Sequence, residues 1–175
     1  TITDKDVIPY RYPSADIIEK CGVTAHSLGY FFHWDFAHNR RVIKDEGWKS
    51  APITPEGSFT NYEDIDCGFM PMHQYFKFIK YGYGRATDHA SYEIRHGRMT
   101  KKEAKELIIE YDGNLPRQYF DEFLEFLKIN ESYFFDTVDR FSNPEIFKTN
   151  ASGKFIRRWD DNLIKNKDWY KSFDV

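Results

Sequence analysis

From Met72 to Phe141 the chain repeats apolar and aromatic residues at helical spacing, and this pattern most limits what it can fold into. Met72, Tyr75, Phe76, Ile79 and Tyr83 fall at i, i+3, i+4, i+7 and i+11, one face of an amphipathic helix interrupted at Gly82 and Gly84. Arg85 or Thr87 opens a second helix that runs to Gly97. Thr100-Lys-Lys-Glu103 reads as a capping box, followed by Ala104, Leu107, Ile108 and Tyr111 on one face and a stop at Gly113. Pro116, at a first-turn position, begins a helix over 118–127 that carries Phe120, Phe123, Leu124 and Leu127. Asn130 caps another, with Phe134, Val138 and Phe141 inward. Beyond Phe147 a Ser152-Gly153 turn between two apolar-flanked arms, reaching Ile156, predicts a hairpin. The last fifteen residues read as a polar tail with Trp159 and Trp169 as anchors.

The opening fifty residues have a different cadence. Two prolines make 5–13 read as extended. Ser14 caps a short helix through Ala15, Ile17, Ile18 and Lys20, and Gly22 stops it. Val23 to Phe32 is β-branched and aromatic and predicts a strand. Asp35 then caps a helix across Ala37, Arg41, Val42 and Lys44, ended by Gly47. This helix–strand–helix rhythm belongs to an α/β unit, although one unit cannot make a sheet. Residues 48–69, with Pro52, Pro55, Gly57 and Gly68, read as a loop. The expected fold is α/β but α-rich, with regions at 1–50, 51–147 and 148–175. The chain opens Thr1-Ile2-Thr3 with no initiator methionine and no signal-peptide pattern, so it is expected to be a piece of something longer.

Composition removes whole classes of function. Phe, Trp and Tyr make up 18% of 175 residues, too much apolar surface for a disordered segment. With 25 Lys+Arg against 28 Asp+Glu the net charge is −3, which argues against a nucleic-acid binder. Mean hydropathy is −0.70, and no apolar run approaches the ~18 residues of a membrane span. Cys21 and Cys67 cannot form a disulfide framework and are expected to be reduced, buried thiols of a cytoplasmic protein. The Asn150-Ala151-Ser152 sequon then carries no meaning. Charge is nonetheless uneven. Residues 77–105 hold eight Lys/Arg against three Asp/Glu, and residues 106–147 hold three against ten. A basic stretch flanked by an acidic block favours a small anionic ligand, or reflects only solvated helix faces of opposite sign.

The segment Lys77-Phe-Ile-Lys-Tyr-Gly-Tyr-Gly-Arg-Ala-Thr-Asp-His89 holds the densest chemistry. Gly82 and Gly84 lie just ahead of a helix start, where unpaired amides and the helix dipole favour phosphate or carboxylate. Arg85 would clamp such an anion, with Lys77 and Lys80 upstream. Arg85, Asp88, His89, Tyr92 and His96 are placed on one side of that helix and Ala86, Ala90 and Ile94 on the other. In the bland reading Gly82 is only a C-cap and Asp88 only a first-turn residue. His89, Glu93 and His96 have the spacing for a metal but no fourth ligand, and no residue is assigned to a metal. His33, Trp34, Asp35 and His38 stand at the end of the expected strand, where α/β folds bind ligands; alternatively Asp35 is a helix cap beside a packed Trp34. The loop Glu56-Gly-Ser-Phe-Thr-Asn-Tyr-Glu63 suits a polyhydroxylated ligand, or is a turn with Thr60 or Asn61 as cap.

Together Tyr10-Arg-Tyr-Pro13, Leu28-Gly-Tyr-Phe-Phe-His-Trp-Asp35, the Glu56–Glu63 loop and Tyr75-Phe-Lys-Phe-Ile-Lys-Tyr-Gly-Tyr-Gly-Arg-Ala-Thr-Asp88 resemble the N-acetyl sugar amidotransferases, surface-polysaccharide and pseudaminic-acid enzymes of the PP-loop ATPase superfamily. The resemblance continues through Arg95, Gly97-Arg98 and Tyr111-Asp-Gly113 to about Phe147. It implies the last strand–helix unit of a PP-loop domain followed by a mostly helical region. It also implies ATP-dependent conversion of a sugar acetamido group to acetamidino in bacterial LPS O-antigen or pseudaminic-acid synthesis. ATP with Mg would activate the amide, and a separate glutaminase subunit would supply ammonia. The substrate would be an amino sugar or nucleotide sugar, with a homo-oligomer left open. The implied roles are Arg85 for a developing anion and Asp88 to orient Arg85 or a substrate amine. Trp34 and Asp35 would serve the sugar and Lys77 or Lys80 phosphate, with Glu56, Asn61, Tyr81 and His89 as further substrate contacts. The family's Ser-Gly-Gly-x-Asp-Ser ATP loop and Cys-rich segment have no counterpart here, so no ATP binding is expected of this chain alone. The competing reading is a non-catalytic module docking a partner through its acidic, Phe-rich helices. An RNA-modification domain is disfavoured by the net acidity.

Overall fold

Helices form where the sequence offers a cap and an apolar stripe, and in the computed structural model, which describes residues 2–166, helices are the main regular elements. The chain divides into two units, Thr1–Gly47 and Trp48–Val175. The first contains α1 (Asp4–Val7), a 3₁₀ turn (Ile8–Tyr10), α2 (Ala15–Lys20), α3 (Leu28–Phe31) and α4 (Phe36–Asp45). Thr3 starts α1 with its amide and hydroxyl both donating to Asp6 at 2.7 Å, and the expected extended 5–13 is helical, α then 3₁₀, for two thirds of its length. Pro9 fits because it falls in the first turn of the 3₁₀ segment, where its missing N–H is not needed. The expected strand over 23–32 is also replaced: 23–27 is irregular and Leu28–Phe31 makes one helical turn. A strand needs a neighbour for its backbone groups, and among the described residues no ladder runs through this segment. No described residue of this unit is buried, and Cys21 is exposed rather than buried.

In the second unit an irregular stretch over 48–69 leads to α5 (Met70–Tyr81), α6 (Arg85–Arg95), α7 (Lys101–Tyr111), α8 (Phe120–Leu127) and α9 (Glu131–Phe141). The main core gathers Met72, Tyr75, Phe78 and Ile79 of α5 with Phe120, Phe134 and Val138, closed by Ile146, Phe147 and Leu163. Several phenylalanines of the acidic helices are therefore core residues, while Phe126 and Phe141 stay exposed. A second cluster joins α6 to α7 through Ala90 and Ala104, small enough to let the helices approach closely. Thr100 caps α7, with Glu103 returning a carboxylate to its amide at 2.8 Å, and Asn130 caps α9. The α8 helix starts later than expected, at Phe120, with Pro116 in the loop before it.

The expected hairpin is present as isolated bridges rather than a ladder. Asn150 forms the turn by accepting from Ser152 and Lys154 amides at 3.0 Å, and Thr149 pairs with Phe155. The chain then folds back again, pairing Arg157 with Leu163 and Phe147 with Lys165. Three backbone bonds close a ring: Lys148 N–H to Ile164 O, Ile164 N–H to Ile156 O, and Ile156 N–H to Lys148 O. Residues 161–166 are thus part of the fold and not a polar tail. Trp159 is 92% exposed and anchors nothing; Leu163, Asn162 and Lys165 are the buried residues, and Trp169 lies outside the described residues. No helix among the described residues is long and apolar enough to cross a membrane.

Candidate functional site

The start of α6 is set by Asp112, in the turn after α7. Its carboxylate accepts the Gly84 amide at 2.9 Å, the Thr87 amide at 3.2 Å and the Thr87 hydroxyl. Gly57 O takes the Ala86 amide at 3.1 Å. A side chain on Gly84 would bring its Cβ to 2.9 Å from Asp112 Oδ1, so glycine is what admits the carboxylate. Gly113, at φ 80°, has no room for a Cβ, which would stand 2.1 Å from the Phe78 ring. The helix start expected to take a ligand's phosphate already holds an internal anion, which takes two of its amides and complements its dipole.

Arg85 turns instead to the loop. Its Nη2 donates to Glu63 Oε2, and its Nε lies 3.6 Å from Asp64, a residue in left-handed backbone at φ 54°. Glu63 Oε2 also bonds His89 Nε2 at 2.7 Å. His89 Nδ1 reaches Thr60 Oγ1 at 3.0 Å and Ser58 Oγ at 3.4 Å. Carboxylate, imidazole and hydroxyls therefore form one continuous relay, with Phe59 edge-on to the ring and Tyr62 stacked near it. Burial pushes the Glu63 carboxyl up, but the His89 hydrogen bond and charge, with Arg85, outweigh it and hold Glu63 below its ordinary value. Two buried polar atoms here lack a hydrogen-bond partner, Glu63 Oε1 and Arg85 Nε. The space this cluster encloses is about 20 Å³, room for a water and little more.

Beside it, sharing Pro55, Glu63, Asp64 and Pro71 as a wall, runs a groove of about 270 Å³. Lys49, residues 50–53, Ile65, Cys67, Gly68, Gln118 and Tyr119 complete its lining. The walls are tied in place. Ala51 and Asn61 exchange bonds, Asn61 Nδ2 donating to Ala51 O at 2.9 Å and Ala51 N–H to Asn61 O at 2.8 Å. Glu56 Oε1 accepts the Arg117 and Gln118 amides, each at 3.0 Å. Cys67 is exposed, not buried as expected.

The residues singled out from sequence divide accordingly. Arg85 and His89 meet at the relay, and His89 is buried rather than on an open polar face. Glu56 and Asn61 brace the loop; neither Asn61 nor Thr60 caps a helix. Asp88 pairs with Lys77 and does not orient Arg85. Lys77 also covers the Tyr83 ring, Lys80 lies 5.5 Å from the Phe141 ring, and Tyr81 is exposed beside Tyr83; none of them lines the cavity or the groove. His96 bonds the Tyr92 carbonyl at 2.9 Å, so it does not join His89. Among the described residues no three His, Cys, Asp or Glu side chains converge as a metal site. In the first unit Asp35 caps α4, accepting from Ala37 at 3.0 Å, and Trp34 stands edge-on to Phe36. Sequence reasoning passed over Glu63, Asp64 and Asp112 as site-forming residues. The signal for Glu63 and Asp112 was an acid close to a glycine-containing turn, in stretches that carry the family resemblance.

The family model for the C-terminal domain of WbpG-like LPS biosynthesis proteins matches residues 56–160, which include the relay, the Asp112 cap and part of the groove. No curated protein matches the chain.

Proposed function

Since the chain belongs to the WbpG-like family of LPS biosynthesis proteins, we propose that it forms the sugar-side part of an ATP-dependent N-acetyl sugar amidotransferase. The carrying observation is the Glu63–Arg85–His89 cluster, largely buried, charged, lying within the family-matched stretch and set against a groove. A buried mixed-charge cluster with unpartnered atoms beside a cleft is where a protein orients a polar substrate. In the proposed reaction ATP activates the acetamido oxygen, ammonia from a glutaminase subunit attacks the amide carbon, and the activated oxygen leaves, giving the acetamidino sugar. Asp112 fills the glycine-flanked helix start, so that start does not offer a phosphate cradle. The work of the described residues is to hold the sugar and its acylamino group still. A cytoplasmic location and a bacterial surface glycan belong to the same reading. The test is an assay of the intact gene product with its glutaminase partner, ATP and a panel of nucleotide-linked amino sugars. Replacement of the acetamido oxygen by NH, seen by mass spectrometry, is expected; an unchanged sugar across the panel overturns the reading.

A further inference from the structure

The basic stretch over 77–105 does not spend its charge at the α6 start. Of its eight Lys/Arg, Lys77 pairs with Asp88, Arg85 turns to Glu63 and Asp64, and Lys80 lies against Phe141. The other five, Arg95, Arg98, Lys101, Lys102 and Lys105, stand at the corner between α6 and α7, where residues 93–105 hold only two acids. Both acids are engaged. Glu93 grips Arg98 at 2.6 and 2.9 Å, and Glu103 closes the Thr100 cap. The corner is also tightly built: Gly97, at φ 68°, and Arg98 donate their amides back to Ile94 O and Glu93 O, each at 2.9 Å, and the capping box then opens α7. Arg95 suits the C-terminal end of the α6 dipole, but Lys101 and Lys102 open α7, where the dipole opposes a cation. Helix stability does not account for those two lysines, whereas attraction to an outside anion does.

The surroundings narrow the kind of anion. Arg95, Arg98, Lys101 and Lys102 are exposed, yet no large apolar residue from 84 to 108 is, so the corner lacks an anchor for the dry centre of a protein interface. Tyr92 is half-buried, with Arg95 and Arg98 at 5.8 and 5.9 Å from its ring and the His96 ring at 4.2 Å, so it is no platform for stacked bases. A stiff corner whose attraction is purely cationic fits a surface whose anions move and gather to it. We propose that the α6–α7 corner docks the protein onto a bilayer surface rich in anionic phospholipid, through the phosphate headgroups and without insertion. Each cation near such a surface strengthens binding about five-fold, so the exposed four give a reversible attachment. The proposal does not depend on the amidotransferase reading.

The test is co-sedimentation of the full chain, at low salt, with vesicles of phosphatidylcholine alone and of phosphatidylcholine with about a third phosphatidylglycerol. Although its net charge is −3, the chain should bind the anionic vesicles and not the neutral ones, and about half-molar salt should release it. Lys101→Glu with Lys102→Glu should weaken binding by more than about ten-fold. Its melting midpoint should hold or rise, because acids suit the first turn of α7. Lys148→Glu with Lys154→Glu makes the same change of net charge in the bridged segments after α9 and should leave binding in place. Equal binding to neutral vesicles, no binding to anionic ones, binding that survives the Lys101 and Lys102 reversal, or an equal loss in the control pair overturns the proposal. Release by inorganic phosphate beyond that by chloride at equal ionic strength assigns the corner to a free phosphate. Tighter binding of a single-stranded RNA oligonucleotide assigns it to nucleic acid, and either result also overturns it.

Discussion

Glu63 is the residue on which the most depends, because one oxygen of its carboxylate holds both a guanidinium and an imidazole. Glu63→Gln keeps the shape and removes the charge, leaving Arg85 with Asp64 alone. Losing one partner of a fully buried pair costs about 3–5 kcal/mol; with Arg85 still 24% exposed, about 2 kcal/mol is expected from urea unfolding at pH 7. Because the native carboxyl titrates below its ordinary value, its stabilisation is present above about pH 4.5 and is lost as pH falls through the lowered native value. The variant should accordingly show a flatter acid limb. Lys165 behaves oppositely. Burial lowers its ammonium from 10.5 to about 8, against the pull of Asp112. Between those values the unfolded chain binds a proton that the folded one has lost, so stability rises with pH from about 8 to 10.5, by up to about 3 kcal/mol. Lys165→Met should flatten that rise in melts taken across the window. In the sequence Glu63 was legible only as the end of a polar loop, and Lys165 not at all. Glu63 needed the fold to bring it beside residues 22 and 26 positions away, and Lys165 sat in a stretch whose polarity read as tail.

At the level of elements, what could be read was what is local. The capping box at Thr100 and Glu103 and the Asn130 cap are set by residues three apart, and both helices start where those signals stand. What could not be read was long-range: the anion at the α6 start comes from Asp112, 25 and 28 positions along the chain from the groups it holds. The expected strand failed for the same reason, since β-branched and aromatic composition creates a strand only when a neighbour takes its hydrogen bonds. The α6 cap gives the sharper test. Asp112→Ala removes the acceptor for two amides and a hydroxyl together with a favourable charge at the helix start, so a loss of about 1–2 kcal/mol is expected. The first turn of α6 should also exchange its amide hydrogens faster, and Arg85 and His89, carried on that helix, should lose their fixed approach to Glu63.

Over the whole molecule, the two units bury very different amounts of themselves. Every buried residue among those described belongs to the second, which also holds the whole family-matched stretch. That match stops at residue 160, whereas the bonds closing the ring at Lys148, Ile156 and Ile164 need residues beyond it. Leu163 completes the main core, and Asn162 Oδ1 accepts the Leu115 amide at 2.7 Å. A chain ended after Asp160 is therefore expected to melt lower and to aggregate, whereas one ended after Asn166 should stay monodisperse in light scattering. The cause lies in the ring itself. Three short segments that satisfy one another in a circle leave the backbone groups of Lys148, Ile156 and Ile164 no free border at that level. Opening the circle creates two sticky borders at one stroke, and residues 161–166 act as a guard against self-assembly as much as a source of stability.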